Sequence, residues 1–241
     1  MTTGSVLSWD IATAVDGPGT RFVVFTAGCP LRCLYCHNPE SWHERRGKRV
    51  EVADVVAEIE PYRRFIQVAG GGVTVSGGEP LLQEHFVGDL LHEVKRLGLH
   101  TALDTSGHLG ARASDALLAD TDLVLLDIKS WDRALHRRLT GVDVAPTLDF
   151  AVRLAELGKP VWLRFVLVPG LTDDPANVEG VASFAAGLGC VERVDVLPFH
   201  KLGAPKYAAL GIPFPLADTP TPTPALVDAT RARFAAHGLA A

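Results

Sequence analysis

A chain of 241 residues with 47% hydrophobic and 21% charged residues carries enough apolar side chain for one large α/β domain, and is neither disordered nor fibrous. Its formal net charge of −5, with no long basic run, gives a nucleic acid partner no electrostatic support. No apolar run approaches the roughly 20 residues that span a bilayer. Residues 1–20 lack the basic region and apolar core of a secretory leader, so the expected compartment is the cytoplasm, with no membrane partner.

The elements alternate along the chain. The β-branched run at 21–26 reads as a strand buried on both faces, and Cys29, Cys33 and Cys36 follow it. A helix is expected over 52–65, then a strand over 73–76 that ends in Ser76-Gly77-Gly78-Glu79-Pro80. Within 83–98, Phe86, Val87, Leu90, Leu91, Val94 and Leu97 share one helical face, and Gly98 suits the left-handed position that ends a helix. A strand over 101–104 runs into Asp104-Thr105-Ser106-Gly107, a helix over 113–119 follows, and a strand over 123–128 leads to Asp127-Ile128-Lys129. After a helix over 148–157, a strand over 161–166 carries Arg164. Asp174 can cap a helix that Pro175 opens, and a strand over 193–197 leads into Pro198-Phe199-His200. Cys190 stands alone and reads as an inert thiol. Residues 213–224, with five prolines, read as an extended connection to a last helix over 225–236.

Six strands alternating with helices imply a parallel sheet with right-handed crossovers, and six units are fewer than a closed eight-stranded barrel needs. The expected fold is therefore α/β, an open partial (β/α)6 TIM-type barrel. It is expected as a single domain over 1–241, with its core at about 20–200 and the proline-rich connection and last helix at about 211–238.

Cys29, Cys33 and Cys36 are spaced C-x3-C-x2-C, and three thiolates can hold three irons of a 4Fe–4S cluster. The run offers no fourth cysteine, so the fourth iron is left open to bind a substrate. This pattern, with an aromatic Tyr35 before the third cysteine, resembles the radical S-adenosylmethionine (SAM) enzymes, in which SAM chelates the open iron. Two other chemistries compete. Cys29, Cys33, Cys36 and His37 could form a structural zinc set in an interaction module, although the adjacency of His37 to Cys36 makes tetrahedral closure awkward. Cys33 to His37 also matches C-x-x-C-H, the haem attachment motif. That chemistry needs export, and the only methionine is Met1, which leaves a second histidine as the axial ligand.

In parallel barrels the functional residues come from the C-terminal ends of the strands, and here each such end carries a polar or glycine-rich motif. Gly77 and Gly78 allow close backbone approach, and with Glu79 they are candidates for the SAM amino group, against the plainer reading of a turn. Asp127 and Lys129 are two residues apart and face the same side of a strand. Lys129 is a candidate for a carboxylate and Asp127 for a ribose hydroxyl or a cation, and a surface ion pair is the alternative. Asp104, Thr105 and Asp127 offer hard oxygen ligands to a cation, and capping by Asp104 is the alternative. Arg164 needs a partner if buried. His200 reads as a ligand contact, or as a satisfied structural histidine.

Several stretches together resemble the glycyl-radical-enzyme activases of the radical SAM class. They are Val15-Asp16-Gly17-Pro18-Gly19 with Arg21-Phe22, Gly28-Cys29, Tyr35-Cys36-His37-Asn38, the run from Gly70 to Glu79, and His100-Thr101 through Asp104-Thr105. Thr121 to Lys129, Val161 to Arg164, Val168-Pro169-Gly170 and Leu197 to His200 complete the set, from residue 5 to about 211. The resemblance implies that Cys29, Cys33 and Cys36 are the catalytic cluster ligands. It implies that Tyr35, Cys36 and His37 lie along SAM, with Gly77, Gly78, Glu79, Asp127, Ile128, Lys129 and His200 completing the pocket. A monovalent cation is implied at Asp104, Thr105, Asp127 and the carbonyl of Leu125, and a partner peptide at Asp16 and Arg164. The implied reaction draws an electron from flavodoxin or ferredoxin, cleaves SAM to a 5′-deoxyadenosyl radical, and removes hydrogen from a glycine Cα of the partner. Some activases carry an inserted ferredoxin-like domain with further cysteines. Its absence favours the branch that acts on pyruvate formate-lyase over one acting on a diol dehydratase or a decarboxylase. After about Leu210 the chain departs from the family's pattern. A monomer pairing transiently with a much larger enzyme is expected.

Overall fold

The computed structural model describes residues 2–241 and divides into two compact units. The first holds the residues up to Pro30 together with Glu40–Leu125; the second holds Leu31–Pro39 and Leu126–Ala241.

The first unit opens with β1 (Thr3–Thr13) and β2 (Thr20–Thr26), paired antiparallel with Trp9 opposite Val24. Strand β3 (Lys48–Glu51) pairs antiparallel with the other side of β1. Helix α1 (Val52–Ile59) follows at once, entered through a capping box between Glu51 and Asp54. Helix α2 (Arg63–Val68) is separate from α1, so the single helix expected over 52–65 is two. The break is a 3-10 turn at Glu60–Tyr62, where Pro61 has no N–H to continue the helical ladder. Strand β4 (Gly72–Gly77) lies parallel to β2, and β5 (His100–Thr105) parallel to β4. Between them α3 (Glu84–Arg96) buries Phe86, Val87, Leu90, Leu91 and Val94, the expected face except Leu97, which caps the helix and is only partly buried, and Gly98 takes φ +72° just beyond its end. Helix α4 (Asp115–Ala119) is capped by Ser114. Strand β6 (Leu123–Asp127) carries the chain from the first unit into the second after Leu125.

In the second unit, α5 (Arg133–Thr140) begins at Asp132, whose carboxylate accepts from Leu135 N at 2.6 Å. Helix α6 (Ala145–Glu156) leads to β7 (Val161–Leu167), and α7 (Pro175–Leu188) to β8 (Val191–Pro198), which is parallel to β7. Asp174 caps α7 as expected, its carboxylate accepting from Ala176 N at 2.8 Å. Helices α8 (Ala204–Ala209) and α9 (Pro224–Ala236) complete the chain. Leu163, Phe165, Val181, Val194 and Phe234 form this unit's core, with the Phe165 and Phe234 rings 5.8 Å apart. Val194 N donates to Ala240 O at 2.7 Å, so the C-terminus covers backbone of β8.

The strand order is β3-β1-β2-β4-β5-β6-β7-β8, and the sheet is not closed. The six expected strands, β2 and β4 to β8, make it the mostly parallel α/β architecture of a partial TIM-type barrel. Strands β1 and β3 add an antiparallel margin that the alternation of elements did not announce.

Candidate functional site

In the first unit the ends of β2 and β4 are knitted by backbone. Gly28 N donates to Ser41 O at 2.7 Å and Cys29 N to Trp42 O at 3.2 Å, so the segment carrying Cys29 is held from one side. From the other, Gly78 N donates to Thr26 O and Glu79 N to Gly28 O, both at 2.9 Å. Gly77 has φ +111°, and a methyl group there would strike the backbone of Thr26. One on Gly78 would strike the carbonyl of Gly28. These glycines are needed by the packing of the strand ends themselves.

Glu79 is fully buried and turned inward. Its carboxylate accepts from Thr105 Oγ1 at 2.6 Å, Leu81 N at 3.2 Å, Ser106 N at 3.0 Å and the Ser106 hydroxyl. Burial pushes its pKa up, and these donors pull against that rise. Thr105 Oγ1 also accepts from Gly107 N at 3.0 Å, and Asp104 Oδ2 accepts from Ser76 Oγ at 2.6 Å. The motifs ending β4 and β5 are thereby one hydrogen-bonded assembly, in which Ser76 and Ser106, given no role in the sequence reading, are members.

In the second unit the segment 31–39 is hung on the end of α5. Arg32 N donates to Thr140 O at 2.8 Å and Leu34 N to Leu139 O at 2.9 Å. Cys36 N donates to Cys33 O at 3.1 Å, closing a turn between two of the thiols. All four cysteines are thiols. Burial drives the Cys33 pKa up to about 12, with the nearby Lys129 charge acting in the opposite direction. Tyr35 OH is buried without a hydrogen-bond partner among the described residues, and burial raises its pKa as well. Such an orphaned phenol is what a bound polar ligand could satisfy.

Lys129 and Asp127 form an ion pair at 2.8 Å, and Lys129 Nζ lies 5.9 Å from the centroid of the Tyr35 ring. Burial opposes the charge on Lys129, but Asp127 outweighs it and holds the ammonium pKa well above its usual value. The intervening Ile128 is buried, and its N–H donates to Arg164 O at 3.2 Å. Just beyond Lys129, the amide of Asn177 accepts from Ser130 Oγ at 2.8 Å and Trp131 N at 2.9 Å. Asn177 thus braces the strand end from the first turn of α7. The rings of His37 and His200 meet edge to face at 5.1 Å, and Lys206 Nζ donates to Asn38 Oδ1 at 2.6 Å. Gly203 sits so close to the Cys36–His37 backbone that a methyl would come within 3.2 Å of the Cys36 carbonyl oxygen.

The second unit therefore gathers Cys33, Tyr35, Cys36, His37, Asp127, Lys129 and His200, while Asp16, Cys29, Gly77, Gly78, Glu79, Asp104, Thr105 and Leu125 belong to the first. Asn177, Gly203 and Lys206 escaped the sequence reading because their partners are distant in the chain, and Asn38 enters it only as part of the Tyr35–Asn38 stretch. Among the described residues no three His, Cys, Asp or Glu side chains gather closely enough for a single metal ion. A 4Fe–4S cluster makes a different demand, one thiolate for each of three irons, and the donor chemistry of three thiols spaced C-x3-C-x2-C along the chain fits it. Among the described residues no helix is long and apolar enough to cross a membrane.

Comparison with known proteins agrees with this chemistry. Residues 23–178 match the family model of the radical SAM superfamily. The chain is 44% identical over 210 residues to the pyruvate formate-lyase 1-activating enzyme of Escherichia coli (strain K12), covering 86% of this chain and 85% of that one. It is 44% identical over 229 residues to the pyruvate formate-lyase-activating enzyme of Staphylococcus aureus (strain USA300), covering 92% and 91%. A crystal structure of a domain of pyruvate-formate lyase-activating enzyme from Bacteroides vulgatus superposes with a TM-score of 0.60 at 28% identity, over 70% of this chain and 96% of that one. The chain therefore belongs to the radical SAM superfamily and, within it, to the pyruvate formate-lyase activating enzymes.

Proposed function

We propose that the chain reductively cleaves SAM and installs a glycyl radical on pyruvate formate-lyase. The observation that carries this reading is the thiol triplet at Cys29, Cys33 and Cys36, in a chain 44% identical to a named activating enzyme over 86% of its length. When bound, a 4Fe–4S cluster supplies the electron that splits SAM into methionine and a 5′-deoxyadenosyl radical, which takes hydrogen from a glycine Cα of the partner. The chain's own residues bind, orient and shield. Cys29, Cys33 and Cys36 hold three irons as thiolates, a state that metal binding promotes by displacing the thiol protons. Lys129 offers its charge to the SAM carboxylate, and Asp127 keeps that charge in place. Tyr35, Cys36 and His37 lie along SAM, with Gly77, Gly78, Ile128 and His200 lining the rest. Glu79 serves the pocket by holding the 105–107 turn. Asp104, Thr105, Asp127 and the Leu125 carbonyl are proposed for a monovalent cation, and Asp16 and Arg164 for the partner's peptide. Flavodoxin or ferredoxin is the proposed reductant, and the chain is proposed to act as a monomer, one radical SAM domain over 1–241.

The test is anaerobic reconstitution with iron and sulfide, reduction, and addition of SAM and pyruvate formate-lyase under electron paramagnetic resonance. A SAM-dependent glycyl signal is expected. SAM cleavage with no such signal would redirect the reading to another glycyl radical enzyme, and no cleavage by a fully loaded cluster would end it. Metal analysis should find about four irons per chain rather than one zinc. Loading should be lost in Cys29→Ser, Cys33→Ser and Cys36→Ser and kept in Cys190→Ser.

A further inference from the structure

Arg21 is completely buried in the first unit, the largest side chain there to be so. Its fork is spread over β4 and β5. Nε donates to Thr74 Oγ1 at 2.9 Å, Nη2 to Val73 O at 2.5 Å, and Nη1 meets His100 Nδ1 at 3.0 Å. The Thr74 hydroxyl passes this on, donating its own proton to the backbone oxygen of Asp16 at 2.6 Å. One hydroxyl thus accepts from the guanidinium and donates to the turn between β1 and β2.

That turn is tightly specified. Ala14 N donates to Gly19 O at 3.0 Å, and Ala14, Gly17 and Gly19 all have positive φ. A methyl on Gly19 would strike the carbonyl of Gly70, one on Gly71 that of Thr20, and one on Gly72 that of His100. The glycine run at 70–72 is needed to admit this turn and the strands beside it. Burying a guanidinium is costly, and burial lowers the Arg21 pKa to about 10 even with Asp122 and Asp16 supplying negative charge. An apolar side chain would fill the space without that cost. What the arginine adds is a polar tether to Asp16, a residue that is itself only partly buried.

We infer that Arg21 and Thr74 are positioning residues for the glycyl radical enzyme: they hold the backbone of Asp16 so that this turn is preformed to receive the partner's peptide. The inference rests on the reading of Asp16 as a partner contact. Beyond each other, their hydrogen-bond partners are Val73, His100 and Asp16, none of them proposed for SAM or the cluster, so their loss acts on partner capture and spares the radical chemistry.

The experiment uses the reconstituted enzyme with full-length pyruvate formate-lyase and compares Thr74→Val, Thr74→Ser, Arg21→Lys and Asp16→Asn. Thr74→Val should raise the KM for the partner about tenfold, the scale of one lost hydrogen bond, with kcat and partner-free SAM cleavage near wild type. Thr74→Ser, which keeps the hydroxyl, should restore KM, and Arg21→Lys, which keeps charge but loses the fork, should raise it. If Asp16→Asn raises KM while Thr74→Val leaves it unchanged, the positioning role is overturned and the reading of Asp16 stands. If Asp16→Asn leaves KM unchanged, both fall. If Thr74→Val depresses partner-free SAM cleavage and thermal stability in step with KM, and serine gives no rescue, the role is general stability and the inference is overturned.

Discussion

Lys129 Nζ lies 2.8 Å from Asp127 Oδ2, with the two side chains only 11% and 21% exposed. A pair this sheltered is poor evidence of net stability, but removing one partner leaves the other charge uncompensated. Lys129→Met should destabilise the metal-free protein by about 3 kcal/mol, and adding Asp127→Asn should recover much of that loss. Urea unfolding of the two single variants and the double variant gives the coupling; a strictly additive cycle would show that the pair does not act as a unit.

Glu79 ties the ends of β4 and β5 together through Thr105 and Ser106. Glu79→Ala leaves these donors and Leu81 N without their acceptor inside the protein. A loss of roughly 3 kcal/mol is expected, since each buried polar group left unsatisfied costs about 1–3 kcal/mol. Thermal unfolding would contradict this if the midpoint stayed at the wild-type value.

Two left-handed glycines separate the cost of conformation from that of crowding. Gly141, at the end of α5, has φ +82° with open space where a side chain would stand. Gly141→Ala should cost only the conformational penalty of about 1 kcal/mol. Gly19, at φ +65°, faces the backbone of Gly70. Gly19→Ala should cost at least about 2 kcal/mol more, because main chain must move. Equal losses in chemical denaturation would refute the crowding argument.

Asp122 gives a signed pH dependence. Burial pushes its pKa up, but Lys95 Nζ at 2.6 Å and the Thr101 amide at 2.9 Å outweigh that and hold it below the usual carboxylate value. Between the lowered folded value and about 3.9 the unfolded chain binds more protons, so the stabilisation is present above about pH 4 and fades as pH falls through the folded value. The stability gap between wild type and Asp122→Asn should therefore be widest near neutrality and narrow below about pH 4. A gap that held constant down to pH 2 would exclude ionisation as its source.

Much of the parallel scaffold could be read from local pattern. The apolar runs of β2, β4, β6 and β7, the buried face of α3 and the Asp174 cap of α7 are short-range properties. Strand β1 was missed because only its first half is buried, and Trp9 and Ile11 in its second half are exposed. Strand β3 has four residues, and α5 is so polar that only His136, Leu139 and Thr140 are buried. Neither carries enough periodicity to declare itself.

What the sequence by itself determined is the chemistry of the thiols. Cys29, Cys33 and Cys36 lie within eight residues, and their number, type and spacing are set by the chain itself, as three thiolate donors for one cluster. What only the tertiary structure decided is which polar residues serve structure and which remain available. Glu79 reads as a ligand in sequence and is fully engaged by Thr105, Ser106 and Leu81; Arg21 reads as part of a strand and proves to be a buried tether to Asp16. Those partners lie as many as 58 residues apart in the chain. They meet only when parallel strands align, and a buried donor or acceptor takes whatever partner that alignment supplies.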